Sequence, residues 1–344
     1  MHTSPKSYTR TWPPSSPEGR AAALGLLALV LCAAAALSLR CGSRDYTLAQ
    51  LLGALHAGAG DPVRRTLLFV RMPRTAAAAL AGGALALSGA LMQAVLNNTM
   101  ASPNVIGVNA GAGFAALLAV TLFPGAGRMP MASFLGAFLT ALFIYLLAVR
   151  AGLSRTTLIL AGLAVSSILT AASNTITLLA PDSLAGASNF MLGGFSGVTL
   201  AAVGRSGWYL AGGAALALFL STELNVLQLG EESAASLGLH VGRVRLLAIL
   251  AAALLAGAAV SFSGLLGFVG LLVPHMARRL VGSDNRWLLP AAALLGGAFV
   301  LLCDVLARVL FAPFELPVGI VMSLLGGPFF LYLLLRRKGG RVYA

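Results

Sequence analysis

TAAAALAGGALALSGALMQAVL, residues 75–96, contains no charged residue. A helix needs about 20 apolar residues to cross the hydrocarbon core of a bilayer. This stretch is long enough, and it is one of ten. Further apolar stretches run through 21–39, 105–124, 130–149, 157–181, 207–222, 244–262, 265–280, 287–312 and 316–335. In lipid only helices and closed barrels satisfy their own backbone. Barrel strands alternate polar and apolar residues over about ten positions, so these unbroken runs exclude a barrel. The expected fold is all-α: a polytopic membrane protein with about ten transmembrane helices. Composition agrees, with 58% hydrophobic and 10% charged residues in 344. A soluble domain would carry about a quarter charged residues.

The formal net charge is +13. In a soluble chain that would suggest nucleic acid. Here the charges lie between the apolar stretches, where they report orientation. With the N-terminus in the cytoplasm, fourteen of the 23 basic residues fall on the inner side and nine on the outer side. Six of those nine lie in the first outer loop: Arg40, Arg44, Arg64, Arg65, Arg71 and Arg74. The expected orientation is N-in and C-in, with one outer loop that breaks the positive-inside rule. The first stretch is too long for a signal-peptide core and lacks a small-x-small cleavage site before Arg40, so it reads as a retained span. Residues 1–20, with Pro5, Pro13, Pro14 and Pro17, are expected as a disordered cytoplasmic tail. Residues 21–337 form the membrane domain and 338–344 a second cytoplasmic tail. Cys32, Cys41 and Cys303 show no metal-ligand spacing and read as apolar filler, with a Cys41–Cys303 disulfide as the minor alternative.

A carrier driven by a proton or sodium gradient usually keeps an ionisable group at mid-membrane. The first eight stretches have none there. Asp304 and Arg308 in the ninth are spaced i,i+4, as a helix-surface ion pair near the outer interface. No Ser/His/Asp set or HExxH is present, so no catalytic residue is expected. A phosphate-binding loop needs GxxxxGK[ST]. The only lysines are Lys6 and Lys338, and neither follows a glycine. If ATP drives this protein, another polypeptide hydrolyses it and grips this one from the cytoplasm.

The longest inner loop, 223–245, reads ELNVLQLGEESAASLGLHVGRVR. A short helix can start at Glu231, Glu232 or Ser233, because acidic groups suit helix N-termini. Gly238 can end it. A second short element is expected around Leu239–Gly242. Such a surface can seat in a partner's groove, or it can be an ordinary linker.

Several segments resemble the FecCD-type permeases, the membrane subunits of ABC importers for iron–siderophore, haem and vitamin B12. They are LNVLQLGEESAASLGLHVGRVR (224–245), SGLLGFVGLLVPHMARRL (263–280), LCDVLARVL (302–310) and ELPVGIVMSLLGGPFFLYLL (315–334). In the first half they are RMPRTAAAALAGGALALSGALMQ (71–93), ASPNVIGVNAGAG (101–113) and MLGGFSGV (191–198). The resemblance covers roughly 21–337. It implies a type II ABC importer permease architecture in the bacterial cytoplasmic (inner) membrane. It also implies a second permease subunit, identical or not, two cytoplasmic ABC ATPase subunits and an extracytoplasmic substrate-binding protein. No cofactor, metal or nucleic acid is implied. Siderophore is the favoured cargo, with haem or cobalamin as alternative. A gradient-driven carrier is the rival from another class.

The resemblance also implies roles for residues. Coupling helices at about 230–242, with Gly230, Glu231, Ala234, Leu237 and Gly238, would contact the ATPase. Asn97, Asn98, Thr99 and Met100 would line a cytoplasmic gate. There the family's Asn-Pro-Leu-Ala-Ser-Pro pattern is Asn98-Thr99-Met100-Ala101-Ser102-Pro103, which removes one proline restraint. Ser166, Ser167, Ser173 and Asn174 would lie on the translocation path. Arg71, Arg74 and Arg308 would dock acidic residues of the binding protein from the outer boundary. Contact with lipid phosphate is the alternative for all three, and weighs more for Arg308, which has Asp304 one turn away.

Overall fold

The computed structural model describes residues 16–42, 45–58, 60–125, 127–152, 154–312 and 314–337. Fifteen α-helices follow in order among them: α1 (Pro17–Arg40), α2 (Leu48–His56), α3 (Pro62–Thr66), α4 (Met72–Val95), α5 (Val108–Leu122), α6 (Met129–Arg150), α7 (Arg155–Leu179), α8 (Pro181–Leu192), α9 (Leu200–Phe219), α10 (Ser221–Leu227), α11 (Glu231–Ser236), α12 (Val241–Ser263), α13 (Val269–Val281), α14 (Asn285–Val309) and α15 (Val318–Arg337). No strand occurs among the described residues.

Each of the ten apolar stretches contains one of these helices. Six spans are long and apolar enough to cross a membrane, counting Pro62–Val95 as one. Leu200–Phe219 and Ser221–Leu227, bent by 53°, make a seventh. The apolar cores of α5 and α15 are shorter, at Val108–Leu122 and Val318–Tyr332. The stretch 265–280 is a partial span: α13 has 13 residues, about 20 Å of helix. Its first residues stay extended because Gly264 and Phe268 adopt left-handed φ of +68° and +64°.

Local signals set the helix starts. Ser16 caps α1 with Pro17 at its first position, so residues 17–20, expected in a tail, belong to a helix. The rest of that tail and residues 338–344 lie outside the described residues. Ser154 caps α7, Thr199 caps α9 and Asp284 caps α14. The outer-loop stretch between the first two spans, read as a charged loop, contains α2 and α3. Thr47 and Gln50 form a reciprocal capping box on α2, and Asp61 caps α3.

The helices run between two ends, one holding Pro17 and the other Arg40. α4 and α12 are central, with most of their side chains buried. Small residues let them approach their neighbours, as they must where lipid offers no hydrophobic drive for helices to associate. A Cβ on Gly82 would overlap the Gly296 carbonyl of α14, and one on Gly89 the Gly270 backbone of α13. Near the Arg40 end the chain leaves helix at 193–199 and 264–268. The ends of neighbouring helices satisfy these breaks: Leu265 N donates to Phe190 O of α8 at 2.9 Å, Gly194 N to Ser263 O of α12 at 2.7 Å and Gly319 N of α15 to Gly193 O at 3.1 Å. Irregular backbone is tolerated at membrane depth when protein covers it in this way.

The contact at Gly89 has a measurable consequence. Gly89→Ala must push α13 away, at about 1–3 kcal/mol for an overpacked site. Gly204, on α9, has open space where a Cβ would sit. In detergent, Gly89→Ala is expected to lower the apparent Tm while Gly204→Ala leaves it unchanged or higher. Equal Tm values would refute the close contact.

Candidate functional site: the two ends of the bundle and the open face of α7

At the Arg40 end a π-turn, Leu67–Arg71, joins α3 to α4. The extra residue per turn swings Arg71 under the end of α1, and Arg74 follows one turn later. Arg71 Nη1 donates to Leu39 O at 2.5 Å and Arg40 O at 2.6 Å, and its guanidinium lies 4.4 Å from the Tyr46 ring centre. Arg308 donates to Cys41 O at 2.9 Å and Ser38 Oγ at 2.9 Å. The last carbonyls of a helix lack internal partners and carry partial negative charge. Two guanidiniums supply the missing donors for α1.

Arg74 joins this group to α14. Its Nε donates to both oxygens of Asp304 at 3.0 and 3.1 Å, and its Nη1 meets Glu315 at 2.6 Å. Arg308 Nε contacts Asp304 at 3.1 Å, so the i,i+4 pair expected from sequence is present. Asp304 has no exposure; Arg71, Arg74 and Arg308 retain 5%, 7% and 4%. The sequence reading put the guanidiniums of Arg71 and Arg74 at the membrane–water boundary. The structure folds them inward, because α1 and Asp304 supply closer acceptors than solvent. This also accounts for much of the basic outer loop, since Arg64 in turn donates to Ala57 O. A cavity of about 370 Å³ remains above the cluster, lined by Tyr46, Thr66, Arg71, Arg74, Arg308 and Glu315. Its lining carries three guanidiniums and one carboxylate, Glu315, and is net positive, with Asp304 beneath it and Asp45 near Arg71 offsetting part of that charge. Sequence reading missed Ser38, Tyr46 and Glu315 as members; only the Asp304–Arg308 spacing signalled the cluster. Cys41 and Cys303 are free thiols.

α7 and α1 are the most open of the long helices, with only 17% of the most apolar window of each buried. On α7, Ser167 and Asn174 are exposed and Ser166 and Ser173 are half-buried. The hydroxyls of Ser167 and Ser173 are not unspent donors. Ser167 donates to Leu163 O and Ser173 to Leu169 O, both at 2.9 Å, and Thr170 and Thr177 bond back one turn likewise. Self-satisfied hydroxyls give a surface that is polar but not adhesive.

At the Pro17 end, the loop after α4 holds Asn97 and Asn98 exposed and Thr99 and Met100 half-buried. Asn98 Oδ1 accepts from Met100 N at 2.9 Å, and Ala101 N donates to Asn98 O at 3.1 Å. This side-chain turn supplies a restraint where the missing proline left none. Asn97 itself stands at φ +45°. Gln93 ties the loop's root to α13, donating to Leu271 O at 3.2 Å and accepting from Arg278 at 3.1 Å.

The segment 230–242 forms α11, flanked by Gly230 at φ +108° and Gly238 at φ +85°. No second short element forms around Leu239–Gly242: Leu239 and His240 stay outside helix, and Val241 and Gly242 begin α12. Ala234 is fully buried, whereas Leu237 is 67% exposed. Glu231, expected to face a partner, turns inward to Arg245 at 2.6 Å and Arg155 at 3.7 Å. Among the described residues, no cluster of three His, Cys, Asp or Glu could hold a metal ion.

Asp304→Asn tests the buried cluster. Removing its charge leaves Arg74 with Glu315 as its one carboxylate and Arg308 with neutral acceptors only, and breaking a buried ion pair costs about 3–5 kcal/mol. Glu315→Gln should cost less, because the Glu315 side chain is 36% exposed. Thermal unfolding in detergent should show a large fall in Tm for the first and a small one for the second. The reverse order would contradict the assignment.

Comparison with known proteins agrees with this architecture. The chain matches the FecCD transport family over residues 28–336. It is 39% identical over 316 residues to the iron(3+)-hydroxamate import system permease protein of Bacillus subtilis, covering 90% of this chain and 82% of that one. It is 40% identical over 273 residues to the cobalamin import system permease protein of Halobacterium salinarum, covering 78% and 73%. A solved chain described as a metal-chelate-type ABC transporter in an inward-facing conformation superposes with a TM-score of 0.81 at 29% identity, covering 92% of this chain and 99% of that one. The match runs from the middle of α1 almost to the end of α15, and the chain belongs to the FecCD transport family of ABC importer permeases.

Proposed function

We propose that this permease imports a ferric chelate, of the hydroxamate type first, by alternating access driven by a separate ATPase. The observation that carries the cargo is the iron(3+)-hydroxamate permease, which matches 90% of the chain at 39% identity. The cobalamin permease matches a shorter part at similar identity, so cobalamin is the second reading. α7 supports a path: it is open, and it offers a bulky chelate no fixed charge to trap it. In this reading the Pro17 end faces the cytoplasm, in agreement with the excess of arginine there. A second permease subunit would face α7.

The positive cavity at the Arg40 end would receive an acidic group of an external binding protein. Arginine suits that task because its planar fork matches a carboxylate. The exposed apolar Leu237 and the small surface around Gly238 would seat in the ATPase. Asn97 to Met100 would close the inner mouth, a turn stiffened by Asn98 next to a flexible thioether.

Reconstitution with the ATPase and binding protein tests the function. Radio-iron ferric trihydroxamate should accumulate with ATP and a collapsed proton gradient, and haemin and cobalamin should not. The binding protein's affinity should weaken as salt rises, as steering by opposite charge requires. Uptake that follows the proton gradient instead would overturn ATP-driven import. Cobalamin uptake alone would shift the cargo to the second reading.

The inner mouth has its own test. Asn98→Cys and Met100→Cys should change their rate of thiol labelling when nucleotide binds the complex. Unchanged labelling in every nucleotide state would remove the gate.

A further inference from the structure

α11 is a six-residue helix with room on both sides. Nothing lies within 4 Å of where a Cβ would stand on Gly230, Gly238 or Gly242. Two features hold it to the bundle: the buried methyl of Ala234 and the carboxylate of Glu231. That carboxylate is shared unequally. Oε1 is 2.6 Å from Arg245 Nη2 on α12 and 3.7 Å from Arg155 Nε on α7. Arg245 is almost wholly buried, with 3% of its side chain exposed. Arg155 Nε is also buried and has no hydrogen-bond partner. A second donor thus waits about 0.5 Å beyond hydrogen-bonding reach.

We propose that Glu231 is the residue that passes motion of α11 to α7, by shifting between Arg245 and Arg155. The inference rests on the reading that α11 receives the ATPase. A displacement of about 1 Å, with the two glycines as pivots, closes the Arg155 contact and opens the other. The result is an element with two discrete arrangements, which is what coupling between distant sites requires. α7 is the proper recipient. It starts at Arg155, packs loosely, and carries Ser166, Ser167, Ser173 and Asn174 along its open face. Arg155 at its N-terminus gives it a charged handle on α11. Glu231 is therefore a positioning residue rather than part of the partner's contact surface.

The test uses the full complex with its ATPase, in a chain bearing Cys32→Ser, Cys41→Ser and Cys303→Ser. Asn174→Cys reports on α7 by its rate of thiol labelling, so no cargo need be known. Nucleotide should change that rate by about fivefold or more, the low end of typical coupling. Arg155→Met and Glu231→Gln should each abolish the change, and the double variant should be no worse than either single one. Arg155→Lys should restore it, because the charge returns, whereas a purely structural role would not separate lysine from methionine at equal Tm. The ATPase should co-purify with all of them. A nucleotide response that survives Arg155→Met, or single effects that multiply in the double variant, would overturn the proposal. So would loss of the ATPase from Glu231→Gln, which would make Glu231 a contact residue. A crosslinker at Ser236 that never captures the ATPase in the unaltered complex would show that the reading of α11 itself is wrong, and the proposal would fall with it.

Discussion

One carboxylate that water does not reach, Asp304, is closed on by Arg74 and Arg308. Taking these charges out of water costs several kcal/mol per ion, and the attraction regained does not always exceed that. Stability alone is thus a weak reason for the cluster. Geometry is a better one. Arg308 reaches the end of α1, Arg74 belongs to α4, and Asp304 belongs to α14. Once they meet, three long helices share a single register at that end. A helix free to slide by one turn in lipid has little else to stop it, because apolar faces slide at little cost. Arg71 adds a second lock from the π-turn, held by the carbonyls of α1.

The lock permits the breaks beside it. Residues 193–199 and 264–268 leave helix and bond through backbone groups to the adjoining ends of α8, α12 and α15. Such an arrangement needs partners at fixed distances, or the exposed amides would cost several kcal/mol each in lipid. Gly82 against Gly296 and Gly89 against Gly270 do the same work lower down, by steric contact instead of charge. α13, unable to span alone, is held between them and by the Gln93–Arg278 hydrogen bond.

The helices that carry the fold were legible because a bilayer demands one thing of a span, an apolar run of sufficient length. That demand says nothing about short amphipathic pieces, so α2, α3 and α8 were not visible. The arginines show a sharper limit. A count along the chain correctly marked the loop as anomalous. It could not tell a guanidinium facing solvent from one bonded to helix carbonyls more than 30 residues away in sequence. Glu315 was invisible for the same reason, since its partner Arg74 lies 241 positions off. Asp304 and Arg308 were readable together because a helix places i and i+4 side by side. Asn98 was half legible: its family position was clear, but its side-chain turn depends on a local conformation that a missing proline alone did not imply.

The two ends differ in kind, and the difference bears on how such a machine can move. At the Arg40 end the charges are buried, multiply bonded and shared among three elements, so displacement would break several contacts at once. At the Pro17 end Glu231 meets the buried Arg245 at 2.6 Å, but two other contacts are half-exposed pairs: Arg20 to Asp284 at 3.5 Å and Glu231 to Arg155 at 3.7 Å. Pairs of that kind contribute about 0–1 kcal/mol each, which makes them easy to exchange. Motion that enters at the Pro17 end can therefore redistribute weak contacts there while α1, α4 and α14 turn as one body about the other end. α7 is one of several helices that share no part of the buried cluster, and it is tied to α11 through Arg155 and Glu231. It can tilt against a scaffold that does not, which places the moving surface and the open surface on the same helix.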